Sequence, residues 1–257
     1  MNTKYKKMNI ICTICARGNS KGVTDKALRK ISGVPLIGIT IKQALRSKLF
    51  NEIIVSTDSK KIQKTAIRFG AKSWFLRPKY LSNDYSSKIL AIRDAFIKSE
   101  NFFNKEFDIC VDLDITSPLR NVSDIRNSVK NIIKNKKIKN LFSVCEAKKN
   151  PYFNMIEIIN NRVNIIKKLK KKNKSKYEIS PSSKWSSFYR RQSAPKVFDM
   201  NASIYIWSRS KLLKSNKLFS KDTGVFFMPQ NRSIDIDSHF DLLLVKQIIK
   251  YEKRKNL

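Results

Sequence analysis

The sequence predicts an α/β protein built on a mostly parallel sheet. Three observations predict it: strand-like and helix-like patterns alternate through the first half of the 257 residues, short loops join them, and the first strand-like stretch, near residues 8–16, is continuously apolar and β-branched. Such alternation places helices on both faces of a parallel sheet, whose strands are then buried on both sides. Because these connections are right-handed, the loops that follow the strands gather at one edge, where we expect a binding cleft.

Apolar periodicity gives the elements in chain order. After the first strand it predicts helices at 35–48, 59–69, 86–99 and 122–134, and strands at 52–56, 72–75, 107–113 and 140–146. A later strand is predicted at 201–207, with a short strand-like VFFMP stretch after it and a final amphipathic helix from about 238 to 253. These elements form a core of residues 1–149 and 197–257.

Residues 150–196 break the alternation. Two strand-like stretches flank an Asn-Asn turn, and a lysine- and serine-rich stretch follows. This segment is too long for a simple loop in a compact domain. It is either a hairpin excursion that packs on a partner subunit or a disordered insertion.

The formal charge of +34, from 54 Lys and Arg against 20 Asp and Glu, would ordinarily indicate nucleic acid, an anionic membrane or an anionic substrate. The lysines are spread over every predicted helix among many Asn and Ile residues, which indicates a compositional bias. The one basic run, residues 167–176, lacks the aromatic residues that stack on single-stranded bases, and no apolar stretch is long enough to cross a bilayer. We expect a cytoplasmic protein without a membrane partner, and nucleic-acid binding is the disfavoured alternative.

The four cysteines fall in predicted strands. Cys12 and Cys15 lie three residues apart and so point to opposite faces of their strand, which argues against a metal site or a redox pair. We expect all four to be small buried residues in a reducing compartment.

The loop after the first strand carries the pattern of an anion site. Arg17, Lys21 and Lys26 supply charge, while Gly18 and Gly22 let backbone N–H groups approach a phosphate. Neither of the standard phosphate-loop motifs is present, so an ordinary basic turn is an equal alternative for this segment taken alone.

Two segments of the sequence carry carboxylates spaced two residues apart, as on one face of a strand. Asp112 and Asp114 share one strand face, which suits a metal or several hydroxyls, or else a capped turn. Asp235 and Asp237 repeat the spacing, and two hard oxygen ligands are what Mg²⁺ needs when it bridges substrate phosphates. The alternative for this second pair is a helix cap at Asp237 with Asp235 in a salt bridge, and the metal site is favoured.

The order of these segments is more specific than any one of them. ARGNSKG, STDS, an Arg-Pro pair before a serine-rich helix start, TSPLR, RQ-x-x-P, NASIYI and SIDID together resemble the acylneuraminate cytidylyltransferases, or CMP-sialic acid synthetases, over nearly the full length. The resemblance implies a Rossmann-like, three-layer nucleotidyltransferase core. It also implies CTP and an α-keto acid sugar as substrates, Mg²⁺ as cofactor, and a homodimer in which the mid-chain excursion exchanges with the second subunit.

Carried onto this chain, the resemblance implies three sets of site residues. The nucleotide-binding set is Arg17, Gly18, Asn19, Ser20, Lys21, Gly22, Lys26, Arg77, Ser86 and Lys88. The sugar-binding set is Asp114, Thr116, Ser117, Arg191, Gln192, Asn201 and Tyr205. Asp235 and Asp237 would hold the metal, and Arg17, Lys21 and Asp237 would carry catalysis.

The chain departs from the family pattern at three places. Ala27 replaces the Asn that usually follows the loop lysine, Asp114 stands where a sugar-contacting Gln normally lies, and NGAIYI has become NASIYI. Together with the NPYFNM segment, the exchange at Asp114 resembles the branch that acts on bacterial nonulosonates such as legionaminic or pseudaminic acid. A nucleotidyltransferase for another sugar, such as 3-deoxy-manno-octulosonate, is the alternative activity. No side chain stands out as the general base.

Overall fold

The structure is a computed structural model that describes residues 8–170, 185–186, 188 and 190–255. Within these residues the strands are β1 Ile10–Cys15, β2 Lys30–Ile31, β3 Val34–Pro35, β4 Glu52–Ser56, β5 Ile109–Leu113, β6 Asn140–Glu146, β7 Ile156–Ile159, β8 Arg162–Ile165, β9 Leu169–Lys170, β10 Trp185–Ser186, β11 Phe198–Ser208 and β12 Thr223–Phe227. The helices are α1 Leu36–Ser47, α2 Lys60–Arg68, α3 Lys88–Phe103, α4 Val122–Lys134, α5 Arg209–Lys214 and α6 His239–Lys255.

The chain divides into two compact units. The first comprises Met1–Val144 and Met200–Leu257, and the second comprises Cys145–Asp199. Most of the basic run at 167–176 lies outside the described residues.

A six-stranded sheet in the order β12-β6-β11-β5-β1-β4 organises the first unit. Strand β1 pairs in parallel with both β4 and β5, and β12 pairs in parallel with β6. Strand β11 runs antiparallel to β5. The predicted α/β class with a mostly parallel sheet is confirmed, and β1, β4 and β5 all end at the same edge because they run the same way.

The helices cover both faces of this sheet. Apolar residues of α1, α2 and α4 pack with Ile10, Cys12 and Ile14 of β1 in one buried cluster, whereas α3 and α5 pack with Ile11 in another. Alternate residues of a strand point to opposite faces, so β1 contributes to both clusters. The result is a three-layer arrangement. Burial of apolar surface between the helices and the sheet stabilises it by about 25 cal/mol for each Å² removed from water.

The cysteines lie in strands as predicted, and all four carry reduced thiols. Cys12, Cys110 and Cys145 are buried, and Cys15 is half-buried. Burial raises the pKa of the Cys12 and Cys110 thiols, which keeps them protonated. Such thiols act as small core residues.

The prediction of a strand at 72–75 is wrong. Its backbone contributes only an isolated bridge between Ile54 and Lys72 at the edge of β4. Trp74 instead stacks on Phe102 of α3, with ring centroids 4.2 Å apart, and contacts Phe75 and Phe103 edge to face. The aromatic residues that raise strand propensity here satisfy packing against a helix.

In the second unit, β7 and β8 form the predicted hairpin. Asn160 and Asn161 connect the two strands with φ values of 50° and 60°. Two central residues with positive φ match the right-handed twist of a two-residue hairpin, and Asn tolerates this conformation better than most residues.

Candidate functional site

A cavity of about 400 Å³ opens at the edge of the sheet where β1 and β5 end. Its walls come from the loop after β1, the segment that leads into α3, the TSPLR turn after β5 and the SIDID segment. Five cationic and three acidic side chains line it: Arg17, Lys21, Lys26, Arg77 and Lys88, with Asp84, Asp114 and Asp237. This balance favours an anionic ligand.

Two glycines set the path of the loop after β1. A Cβ on Gly22 would come within 1.9 Å of the carbonyl oxygen of Asp237, so only glycine lets this loop reach the SIDID segment. The N–H of Gly18 donates to Asp58 Oδ1 at 2.8 Å, which fastens the loop to the end of β4. The STDS turn therefore supports the loop from outside the cavity lining, where Ser59 also caps α2 by accepting from the N–H of Ile62.

The cations of this loop share one carboxylate. Asp84 Oδ1 lies 2.6 Å from Arg17 Nη1, and Asp84 Oδ2 lies 2.6 Å from Lys21 Nζ. Hydrogen bonds from Lys21 and Arg17 lower the pKa of Asp84. Asp84 is thus an anion, bound where the sequence predicts a phosphate.

Lys88, in the first turn of α3, faces both carboxylates of the β5 pair. Its Nζ lies 2.6 Å from Asp114 Oδ2, 3.1 Å from Asp112 Oδ2 and 4.3 Å from the centre of the Tyr205 ring. Burial opposes the charge on Lys88, but the two carboxylates outweigh it and raise its pKa. The prediction that the two aspartates share one face is confirmed, and the group that both carboxylates contact is the ammonium of Lys88.

The pKa values of Asp112 and Asp114 are shifted in opposite directions. Burial raises the pKa of Asp112, although Thr13 donates to its Oδ1 at 3.0 Å. Burial also opposes ionisation of Asp114, but Lys88 and two hydrogen bonds from Thr116 lower its pKa overall. Asp114 is therefore a carboxylate at neutral pH.

The SIDID segment lies beside the TSPLR turn, because the N–H of Ile236 donates to Thr116 O at 2.9 Å. Lys26 Nζ donates to the carbonyl oxygen of Ile236 and lies 3.2 Å from Asp237 Oδ1. Helix α6 is capped by Ser238 and Asp241, which exchange hydrogen bonds between side chain and backbone in both directions. The capping alternative for Asp237 is therefore wrong, and its side chain is 77% exposed.

The carboxylate pair fits a Mg²⁺ ion. Asp235 Oδ1 is buried with no hydrogen-bond partner among the described residues. Burial, together with the charges of Asp114 and Asp237, raises the pKa of Asp235 to about 6. No group of three or more His, Cys, Asp or Glu in the described part of the chain could hold a metal. Mg²⁺ commonly uses one or two carboxylates and takes its other ligands from water and substrate phosphates, so a pair suffices.

The cavity brings together most of the predicted site residues that belong to the first unit. Those that line it are Arg17, Ser20, Lys21, Gly22, Lys26, Arg77, Ser86, Lys88, Asp114, Thr116 and Asp237. Gly18, Asn19, Ser117, Asn201, Tyr205 and Asp235 stand outside its lining. Ala27, the departure from the family pattern, is a buried core residue.

Ser117 and Asn201, two of the predicted sugar contacts, form hydrogen bonds within the protein. Ser117 Oγ donates to the backbone oxygen of Asn201 at 3.2 Å. The Asn201 amide is 3% exposed, accepts from Ser143 Oγ at 2.6 Å and donates to Ser233 Oγ at 2.8 Å. Contact with a sugar stays a prediction for both.

Arg191 and Gln192 belong to the second unit. They line a cavity of about 430 Å³ formed by that unit's own residues, where Arg191 Nη2 donates to the carbonyl oxygen of Ala147 at 2.7 Å. Their predicted role at the sugar also stays a prediction.

The sequence analysis missed Asp84 as a site residue and Asp112 as a partner of Lys88. Asp84 was visible only as an acid in the loop before α3. Its pairing with Arg17 joins residues 67 positions apart, and no local pattern encodes that contact. An acid in a serine-rich loop was the one available signal.

A family model described as Cytidylyltransferase matches residues 11–255. The chain belongs to the cytidylyltransferase family. The flagellin modification protein B of Campylobacter coli is 41% identical to this cytidylyltransferase, over 96% of this chain and 97% of its own. The CMP-N,N'-diacetyllegionaminic acid synthase of Campylobacter jejuni is 42% identical over 93% and 94%, and the pseudaminic acid cytidylyltransferase of that species is 30% identical over 95% and 97%.

Solved structures agree with the fold of this cytidylyltransferase. A CMP:2-keto-3-deoxy-manno-octonic acid synthetase, complexed with CTP, superposes with a TM-score of 0.65. That match covers 95% of this chain and 99% of the other at 16% identity, so it carries the fold alone. The predicted Rossmann-like nucleotidyltransferase architecture and the family resemblance are both confirmed.

Proposed function

We propose that this cytidylyltransferase activates a nonulosonic acid with CTP, giving the CMP-sugar and pyrophosphate. N,N'-diacetyllegionaminic acid is the first candidate sugar, since the synthase named for it is 42% identical and the pseudaminic acid enzyme 30%. The observation that carries the proposal is the cavity that joins the Arg17–Gly22 loop to Asp237 of the SIDID segment. Arg17 and Lys21, which would bind a polyphosphate, and Asp237, one of the two carboxylates that would bind its metal, line this cavity together.

The reaction forms one P–O bond and breaks another. The anomeric hydroxyl of the sugar gives up its proton to water and attacks the α-phosphorus of CTP in line, the bond from the α-phosphorus to the bridging oxygen breaks, and pyrophosphate leaves. Arg17 and Lys21 would bind the triphosphate and offset charge on the leaving group, which is how most of the catalysis of such transfers arises. Bound Mg²⁺ supplies further charge neutralisation at the phosphates. Asp235 and Asp237 would hold it, and Lys26 would orient Asp237.

Lys88 and Asp114 have a different place in this proposal. Each satisfies the other at 2.6 Å, and Thr116 fills further acceptor positions on Asp114. We therefore assign the pair to the wall of the site, where it presents both a cation and an anion to polar substituents of the sugar. A site that hydrogen-bonds its substrate rejects analogues lacking the matching group strongly.

The proposal includes a homodimer in the cytoplasm. The family resemblance supports the homodimer, and so does the apolar face of the β7–β8 hairpin in the second unit. No helix in the described part of the chain is long and apolar enough to span a membrane.

The test is incubation of the protein with CTP, Mg²⁺ and one sugar at a time, with product masses and pyrophosphate release recorded. The sugars are N,N'-diacetyllegionaminic, pseudaminic, N-acetylneuraminic and 3-deoxy-manno-octulosonic acids. We expect a CMP adduct with a nonulosonic acid, most rapidly with the legionaminic compound. A CMP adduct with 3-deoxy-manno-octulosonic acid alone, or none with any sugar, contradicts the proposal.

A further inference from the structure

Asp84 makes a contact that the proposed reaction does not use. Its two carboxylate oxygens are divided between the two cations of the phosphate loop, 2.6 Å from Arg17 Nη1 and 2.6 Å from Lys21 Nζ. A phosphate would meet the same two donors with the same kind of charged oxygen. Asp84 itself lines the cavity.

The contact is exposed and held by a self-contained turn. The side chains of Asp84 and Lys21 are 39% and 80% exposed. Asn83 Oδ1 accepts from the N–H of Tyr85 at 3.0 Å, and Ser86 Oγ donates to Asn83 O at 2.8 Å. Because the turn is bonded within itself, the Asp84 side chain can leave the two cations without disrupting the backbone around it.

We propose that Asp84 is an internal competitor for the polyphosphate: its carboxylate binds the two cations that hold the ligand, and anion binding displaces it. The inference rests on the proposed role of Arg17 and Lys21 in binding the triphosphate. Asp84 weakens the affinity for CTP, and equally for the pyrophosphate that must leave at the end of the reaction. It is also the group that holds the two cations in place between turnovers.

Calorimetry on the full chain with inorganic pyrophosphate and Mg²⁺, and separately with CTP and Mg²⁺, tests this inference. Exposed ion pairs are each worth little, so Asp84→Asn should bind both ligands roughly 2- to 10-fold more tightly than the wild type. Asp84→Glu keeps the carboxylate and should stay near the wild-type affinity. In a Lys21→Ala background, the gain from Asp84→Asn should shrink, because one of the two competing contacts is already gone.

Asp94→Asn is the matched control. It removes one acidic group, whose partner is Lys98 within α3 at 2.8 Å, and should leave both affinities unchanged. An equal gain in this control would mean that net charge alone sets the affinity, which overturns the inference. A melting curve of Asp84→Asn that matches the wild type verifies its fold, and Asp84→Ser serves in its place if it does not.

Unchanged or weaker binding by Asp84→Asn also overturns the inference, since Asp84 would then organise the loop for its ligand. A wild type that binds pyrophosphate but forms no CMP-sugar contradicts the proposed function and leaves the competition measurable. If neither ligand binds to the wild type or to Asp84→Asn, both proposals fail.

Discussion

Lys88 faces two neighbouring carboxylates whose pKa values shift in opposite directions, because burial outweighs the attraction of Lys88 at Asp112 but not at Asp114. Asp114 pairs with it at 2.6 Å and is ionised, whereas Asp112 is fully buried and its pKa is raised. The Lys88–Asp114 pair is partly buried, with side chains 34% and 18% exposed, so solvent screens it and its loss costs less than the loss of a fully buried pair. The triad therefore fixes where α3 begins relative to the end of β5, at the wall of the cavity.

Asp235 is a carboxylate whose burial outweighs the hydrogen bond from Thr116 and the attraction of Lys26. It is desolvated, it has one buried oxygen without a hydrogen-bond partner among the described residues, and its pKa is raised to about 6. The folded state thus holds a proton on Asp235 more tightly than the unfolded chain does. Its contribution to stability is greatest below about pH 4 and falls as the pH rises from about 4 to about 6.

We therefore expect Asp235→Asn to increase the free energy of unfolding at pH 7 in the presence of a chelator, by about 1–3 kcal/mol. At pH 4 the gain should nearly vanish, because the wild-type carboxyl is then protonated in the folded state. Urea unfolding at the two pH values measures this difference. Asp237→Asn, at a largely exposed position, should change stability less.

Added Mg²⁺ should reverse the order of stability, so that the wild type becomes more stable than Asp235→Asn. Added Mg²⁺ is expected to stabilise the wild type at pH 7, as any ligand that binds only the folded state does, and to leave Asp235→Asn unchanged. An asparagine variant that is less stable than the wild type in chelator contradicts the account of Asp235. Equal stabilisation of both proteins by Mg²⁺ contradicts its place in the metal site.

At the scale of elements, the long periodic segments were predictable and the short ones were not. Helix α4 and strand β6 have the predicted bounds, 122–134 and 140–146. The small β2–β3 hairpin and helix α5 went unnoticed, because two to six residues carry too little periodicity. The failure at 72–75 has another cause, since aromatic residues favour strands and helix contacts alike.

The β7–β8 hairpin presents an apolar face that cross-strand pairing assembles. Ile158 lies opposite Val163, and Ile156 lies opposite Ile165, so that all four share one face. Ile158 and Val163 are 69% and 66% exposed. An isolated two-stranded hairpin is at best marginally stable in water, which supports burial of this face against a second copy of the chain.

We expect Ile158→Lys to shift the protein from a dimer towards a monomer, because a charge on this face would be desolvated in the interface. Glu157→Lys places the same residue on the opposite face of the same strand and is the matched control. Sedimentation equilibrium gives the mass of each variant. A wild type with the mass of a monomer, or an Ile158→Lys variant that stays dimeric, contradicts this use of the hairpin.

For the whole molecule, the sequence predicted the sheet, the cleft at its edge and the segments that surround it. Parallel strands bring their ends together whatever their side chains, so ARGNSKG and TSPLR meet as expected, whereas SIDID does not end a parallel strand and reaches the TSPLR turn through the hydrogen bond from the N–H of Ile236 to Thr116 O. Pairings between distant side chains were not predictable, because Asp84 with Arg17 and Asp112 with Lys88 depend on how loops pack. The same packing decides that Arg120, in the TSPLR turn, is buried with bonds to Ser203 and Gln43 and serves the fold.

The central claim is that the loop after β1 and the SIDID carboxylates form one CTP site. Its most direct test is kcat/KM for CTP of Asp237→Ala against the wild type, at saturating Mg²⁺ with the preferred sugar. Asp94→Ala, which removes an acid paired within α3, is the control. We expect Asp237→Ala to keep its melting temperature while kcat/KM falls at least about 100-fold, the loss typical of a charge-stabilising group. A folded Asp237→Ala variant with wild-type kcat/KM would contradict the claim.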